Sequence, residues 1–318
     1  MSQHPVQQSG EHPSPSARAR ELVRGAYDTH IHVAPDVMER RIDDVDLAHR
    51  CREVGLAGFV LKSHYVPTAE RAAVVRKAVP GVDALGAITM NASVGGLNPV
   101  AVEIAARQGA RVVWVPTVDS LNQRQSRAEM PEGATPPMWA AVQDGLRDQG
   151  MEPAPVEVVD ERGRPTKGCL DLLTLVARHG LTLATGHLAA DEIVAVVEAA
   201  TDAGVRQVVV THPEFTSQRL SVEVQRGLAA RGALLERCFT TPHTGKVSWE
   251  RMLSNIRATG PEHSVVSSDL GQPFNPPVED GLALMADHLL EAGFDEDEVV
   301  VMTRTNTFAV AGVEVPVG

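Results

Sequence analysis

The feature that most constrains this chain is a rhythm: eight short runs rich in β-branched and apolar residues alternate with longer stretches of Ala, Leu, Glu and Arg at helical spacing. Strands joined by helical crossovers run parallel, so the alternation predicts a parallel α/β sheet. The runs are 25–33, 57–63, 84–91, 111–117, 181–187, 207–212, 233–239 and 264–270. Helical segments are expected near 43–54, 69–78, 99–108, 169–179, 189–203, 221–230, 246–258 and 278–292. Thr68, Asn98 and Ser221 stand where N-caps belong, and Gly55, Gly109, Gly180, Gly204 and Gly293 where helices stop. Eight strands each followed by a helix predict a closed (β/α)8 TIM barrel.

One connection breaks the rhythm. Residues 118–167, after the fourth run, hold PEGATPP, a helical MWAAVQDGLRDQ and a hairpin VEVVDERGRP turning at DERGR. An insertion that follows a strand lies on the face where the strands end, so it is expected to be a lid or binding loop, with an oligomer contact as the alternative. Residues 1–24 are rich in Ser, Pro, Gln and charge and are expected to be a flexible N-terminal tail without the apolar core of a signal peptide. That leaves 25–318 as the barrel domain.

A net charge of -12 excludes binding a polyanion through a basic face, so nucleic acid is not an expected partner. An aromatic content of 3% argues the same way against base or sugar stacking. No apolar run approaches the roughly 18 residues of a membrane span. Cys51, Cys169 and Cys238 lie far apart, fit no zinc-ribbon spacing and cannot all pair, which suits a reducing cytoplasm. A small-molecule substrate is the expected partner, and assembly into a homo-oligomer stays open.

In such a barrel the chemistry comes from the C-terminal ends of the strands. The first run ends in Asp28-Thr29-His30-Ile31-His32, where residues two apart on an extended segment share a face. The second ends in Lys62-Ser63-His64, the fifth in His187, the sixth in His212 and the eighth in Asp269. Imidazoles and a carboxylate gathered at one end suit zinc first, with manganese, iron or nickel as alternatives. Asn91, followed by a Gly-Gly turn, and His64 and His243 are candidate substrate contacts; Glu236 is a candidate supporting partner.

The segments DTHIH, GHL, THP and SSD, in this order and at these strands, resemble the metal-binding pattern of the amidohydrolase superfamily, over about residues 25–312. The resemblance implies that His30 and His32 hold one divalent metal, and that His187 and His212 hold a second or divide between metal and substrate. It implies that Asp269 binds metal and carries a proton. It further implies hydrolysis of an amide, lactam or lactone bond by a metal-activated water. The chain departs from the superfamily at the fourth strand, which ends in Pro116-Thr117-Val118-Asp119 where many members carry a bridging lysine carbamate or glutamate. One metal or two therefore stays open. Lys62 is then a candidate catalytic residue, carbamylated, polarising a carbonyl or paired with a carboxylate. Metal-dependent decarboxylation, phosphoester cleavage and a non-catalytic ligand-binding barrel are the competing readings.

Overall fold

A computed structural model describes residues 12–131, 133 and 136–314. Eight strands, β1 (Tyr27–Ile31), β2 (Gly58–Leu61), β3 (Asp83–Thr89), β4 (Ala110–Trp114), β5 (Thr182–Ala184), β6 (Gln207–Val210), β7 (Leu234–Cys238) and β8 (Ser264–Ser267), pair in parallel in chain order. The ring closes where the chain past β8 meets β1: Ile31 bridges Leu270, His32 N donates to Leu270 O at 2.8 Å and Asp269 N donates to His30 O at 2.8 Å. This is a (β/α)8 barrel. The strands are shorter than the apolar runs that announced them. Residues past the ladder, among them His32, Lys62, His64 and His187, sit on the C-terminal rim.

The barrel interior is packed by Tyr27, Val60, Leu85, Val112, Trp114, Val209, Leu234 and Val265. Two larger clusters fill the layer between the strands and the surrounding helices. Asn98 and Ser221 cap their helices as expected, each accepting from backbone N–H groups of the first turn. Thr68 does not cap: its buried hydroxyl donates to Leu61 O at 2.7 Å and accepts from Ala87 N at 2.8 Å, pinning the helix Ala69–Ala78 to two strands.

Residues 12–24 correct the expectation of a tail. Ala17–Leu22 form a helix capped by Ser16, and Ala19 and Val23 are buried in the core. Ser16 also donates to Asp287 at 2.6 Å, and Arg20 pairs with Asp280 at 2.6 Å. The segment looks polar in sequence because only one stripe of it meets the barrel. Residues 1–11 lie outside the described residues. At the other end, the helix Asn306–Ala311 closes the bottom of the barrel with Phe308, edge-on to Tyr27 at 5.3 Å between centroids.

The insertion holds the expected helix Trp139–Asp148 and a second one, Leu121–Ala128, that the sequence did not announce. The expected hairpin is present, with Val159 bridging Pro165. Residues 132, 134 and 135 of PEGATPP lie outside the described residues. Ser120 Oγ and Asn122 Nδ2 both donate to His187 O, at 2.9 and 3.0 Å, so the insertion is fastened to the loop after β5. Among the described residues no helix is long and apolar enough to cross a membrane.

Candidate metal centre

Five imidazoles from four strands form a closed ring on the C-terminal rim. Going round, the centroid separations are 5.4 Å for His30–His32, 4.9 Å for His32–His64, 6.0 Å for His64–His187, 5.8 Å for His187–His212 and 5.2 Å for His212–His30. Asp269, at the end of β8, reaches into the ring: its Oδ1 is 3.2 Å from His30 Nε2 and 3.3 Å from His32 Nε2, and its Oδ2 is 3.8 Å from His212 Nε2. The sequence-level expectation that these residues share one face therefore matches their placement.

Backbone geometry forces part of this arrangement. His212 and Asp269 adopt left-handed φ values of 48° and 53°. Such conformations are costly for residues with side chains and persist only where the surroundings fix them. Here Phe215 N donates to His212 O at 2.8 Å, and Asp269 N is bonded to β1. Before His187 stands Gly186, with φ 58°, where a Cβ would come within 2.4 Å of the carbonyl oxygens of Val115 and Pro116. Only glycine fits there.

Beneath the ring, His30 is engaged on both nitrogens. Glu236 Oε1 lies 3.0 Å from Nδ1 and also accepts from Ser267 Oγ at 2.9 Å. Lys62 Nζ lies 2.8 Å from Nε2 and 5.1 Å above the Trp114 ring. Trp114, at the end of β4, is buried in the barrel interior. Glu236 is thus a direct partner of a candidate ligand, as its place on β7 suggested.

Burial sets the charge states. It drives His32 down to about 3 and His212 down to about 4, and holds His64 and His187 well below the usual imidazole range. It also lowers Lys62. Burial alone would raise the two carboxyls, but their contacts with His30 and the neighbouring imidazoles outweigh it, bringing Glu236 to about 2 and Asp269 well below the ordinary carboxylate range. Neutral imidazoles beside ionised carboxylates are the states that bind a divalent cation.

Two observations test whether the donors suit a metal. Two ligand atoms each about 2.1 Å from one ion are themselves roughly 3.0–3.4 Å apart at ordinary coordination angles, and both Nε2 atoms of the HxH pair stand at that spacing from Asp269 Oδ1. Glu236, one of a His30, His212, Glu236 and Cys238 group whose ligand atoms all lie within 4.8 Å of one another, has a buried Oε2 without a hydrogen-bond partner, a cost that folded proteins rarely bear without a ligand nearby. The residues fit a metal.

One expected substrate contact is corrected. Asn91 is fully buried; its amide donates to His64 O at 2.9 Å and Thr117 Oγ1 at 2.7 Å and accepts from Thr117 N at 2.8 Å, so it straps three rim loops together and has no group left for a ligand. His243 stacks on Phe239 at 4.8 Å between centroids, and Phe239 in turn contacts Trp249 and His288. His64 does face the ring, with Nδ1 2.9 Å from Thr117 Oγ1.

Sequence reasoning missed one polar network. Arg237, fully buried on the outer face of β7, donates to Glu214, to Gln225 Oε1 at 2.9 Å, to Thr259 Oγ1 at 3.1 Å and to Ser264 Oγ at 3.3 Å. Glu214 lies two residues past His212 and also accepts from Asn255 at 3.1 Å. The signal was present: Glu236-Arg237 puts charge on both faces of a central strand, which only paired charges permit.

Residues 25–236 match the model of a family described as of unknown function, DUF6282. No curated protein sequence matches the chain. Among solved structures, an amidohydrolase from Pseudomonas aeruginosa superposes with a TM-score of 0.56 at 12% identity, covering 92% of this chain and 99% of that one. A metallo peptidase from Rhodobacter sphaeroides liganded with a phosphinate mimic of the dipeptide L-Ala-D-Ala gives 0.56 at 14%, covering 91% and 99%. A TatD homologue from Escherichia coli gives 0.54 at 13%, covering 92% and 100%. At this identity the likeness establishes a shared fold.

Proposed function

The chain belongs to the DUF6282 family, and because that family is described only as one of unknown function, we propose an activity from the site: a metal-dependent hydrolase cleaving an amide, lactam or lactone bond of a small molecule. The observation that carries this is the convergence of five buried imidazoles and one ionised carboxylate on a single rim. The hydrolases and peptidases that share the fold support it. Zinc is the expected ion. The three free, buried cysteines support a reducing compartment such as the cytoplasm.

His32, His187, His212 and Asp269 would hold the metal, and His30 would join them once Lys62 releases its Nε2. Bound there, a divalent ion supplies Lewis acidity that polarises the scissile carbonyl and acidifies water. Asp269 is the group placed to take and return the proton, its Oδ2 fixed by Thr240 Oγ1 at 3.0 Å. His64 is the substrate contact of this reading, its Nδ1 held 2.9 Å from Thr117 Oγ1, which also accepts from Asn91. The insertion 118–167, fastened over His187, bounds the mouth and acts as its lid.

The test is metal content by elemental analysis, together with turnover on a panel of amides, lactams and lactones before chelation, after it, and after zinc or manganese is restored. Activity that survives complete metal removal, or a protein that retains no metal at all, would sink the proposal. A metal-loaded protein inert on the entire panel would favour the non-catalytic barrel.

A further inference from the structure

We propose that Lys246, held over the ring of Phe215, binds a carboxylate on the substrate, so that the site takes small anionic molecules; this rests on the metal-hydrolase reading above. Lys246 lies in the loop after β7, turned by Gly245 at φ 72°. Its Nζ stands 4.8 Å from the Phe215 centroid. Phe215 in turn packs against His187 and His212, at 6.4 and 5.5 Å between centroids. The ammonium is therefore one aromatic layer away from the imidazole ring, at the mouth. The Lys246 side chain is itself exposed to solvent.

The way this cation is held matters. A ring face attracts an ammonium only weakly at an exposed site, and it leaves the N–H donors that lysine carries available for a ligand. Among the described residues Lys246 makes no ion pair. By contrast Lys167, another of the chain's four lysines, is matched to Asp171 at 2.5 Å. Lys246 is thus fixed in position with its donors free for a ligand.

The neighbouring cation is matched where Lys246 is not: Arg40 on the loop after β1 is paired with Asp36 at 2.8 Å. A single ammonium beside an aromatic wall fits a carboxylate on a small apolar body.

The experiment uses the cobalt-loaded full chain, titrated with succinic acid monohydroxamate and with its neutral monoamide counterpart, each followed through the visible absorption of bound cobalt. The carboxylate probe is expected to bind about tenfold tighter, as one charge-assisted hydrogen bond allows. Lys246→Met should reduce that preference to below about twofold, and Lys246→Arg should keep most of it. Equal affinity for both probes in the unaltered protein, or a preference that survives Lys246→Met, overturns the carboxylate subsite and leaves the hydrolase reading standing. If neither hydroxamate perturbs bound cobalt, the hydrolase reading itself fails and the subsite falls with it.

Discussion

Replacing Arg237 by Met asks how much the network behind β7 contributes, and the structure sets the magnitude. The guanidinium is fully buried and bonded to Glu214, Gln225, Thr259 and Ser264. Met fills most of the volume, so little cavity forms, but Glu214 is left with only the Asn255 amide. Removing one partner of a buried pair costs about 3–5 kcal/mol because the other charge remains desolvated. For a large domain 1 kcal/mol moves the melting temperature by about 2–4 °C, so a fall of roughly 6–20 °C is expected. Adding Glu214→Gln removes the stranded charge and should restore more than half of the loss, a coupling that a double-mutant cycle measures. The assay is thermal melting supported by urea titration, with an unchanged slope showing that the midpoint shift reports stability. A single variant melting within about 2 °C of the parent, or a double variant no better than the single, would refute the reasoning.

Changing His32 to Ala should remove most bound metal while far-ultraviolet circular dichroism stays the same, because the rim imidazoles are not part of the packed interior; full metal content by elemental analysis would contradict the ligand assignment. Asp269→Asn should keep part of the metal and lower turnover by a factor of roughly 10² to 10⁴, the usual worth of a positioned base; near-parental rates would put the proton carrier elsewhere. Lys62→Met releases His30 Nε2, so metal affinity in a chelator competition should hold or rise; loss of metal would instead make Lys62, as its carbamate, a ligand. Gly186→Ala places a Cβ within 2.4 Å of two carbonyl oxygens and should destabilise the fold and displace His187 together; a soluble variant with parental metal content would show that the loop can give way.

What the sequence determined by itself is what repetition and parity encode. Eight alternations of apolar run and helix specify a parallel barrel, and the barrel fixes which end of every strand carries chemistry, so His30, His32, Lys62, His64, His187, His212 and Asp269 were legible as one rim before any coordinate. Local pattern could not show which of them touch. That His30 is held between Glu236 and Lys62, that Asn91 is spent strapping loops, and that His243 turns toward Phe239 are results of packing between segments far apart in the chain. The ends of the chain follow the same division. Ala17–Leu22 and Asn306–Ala311 are too short to announce themselves, and they are helices because the outer helical layer and the bottom of an already closed barrel give Ala19, Val23 and Phe308 somewhere to be buried. A periodic signal survives in one dimension because each residue need only know its neighbours; a hydrogen bond across 206 positions, like that of His30 with Glu236, exists only once the barrel has brought the two strands together.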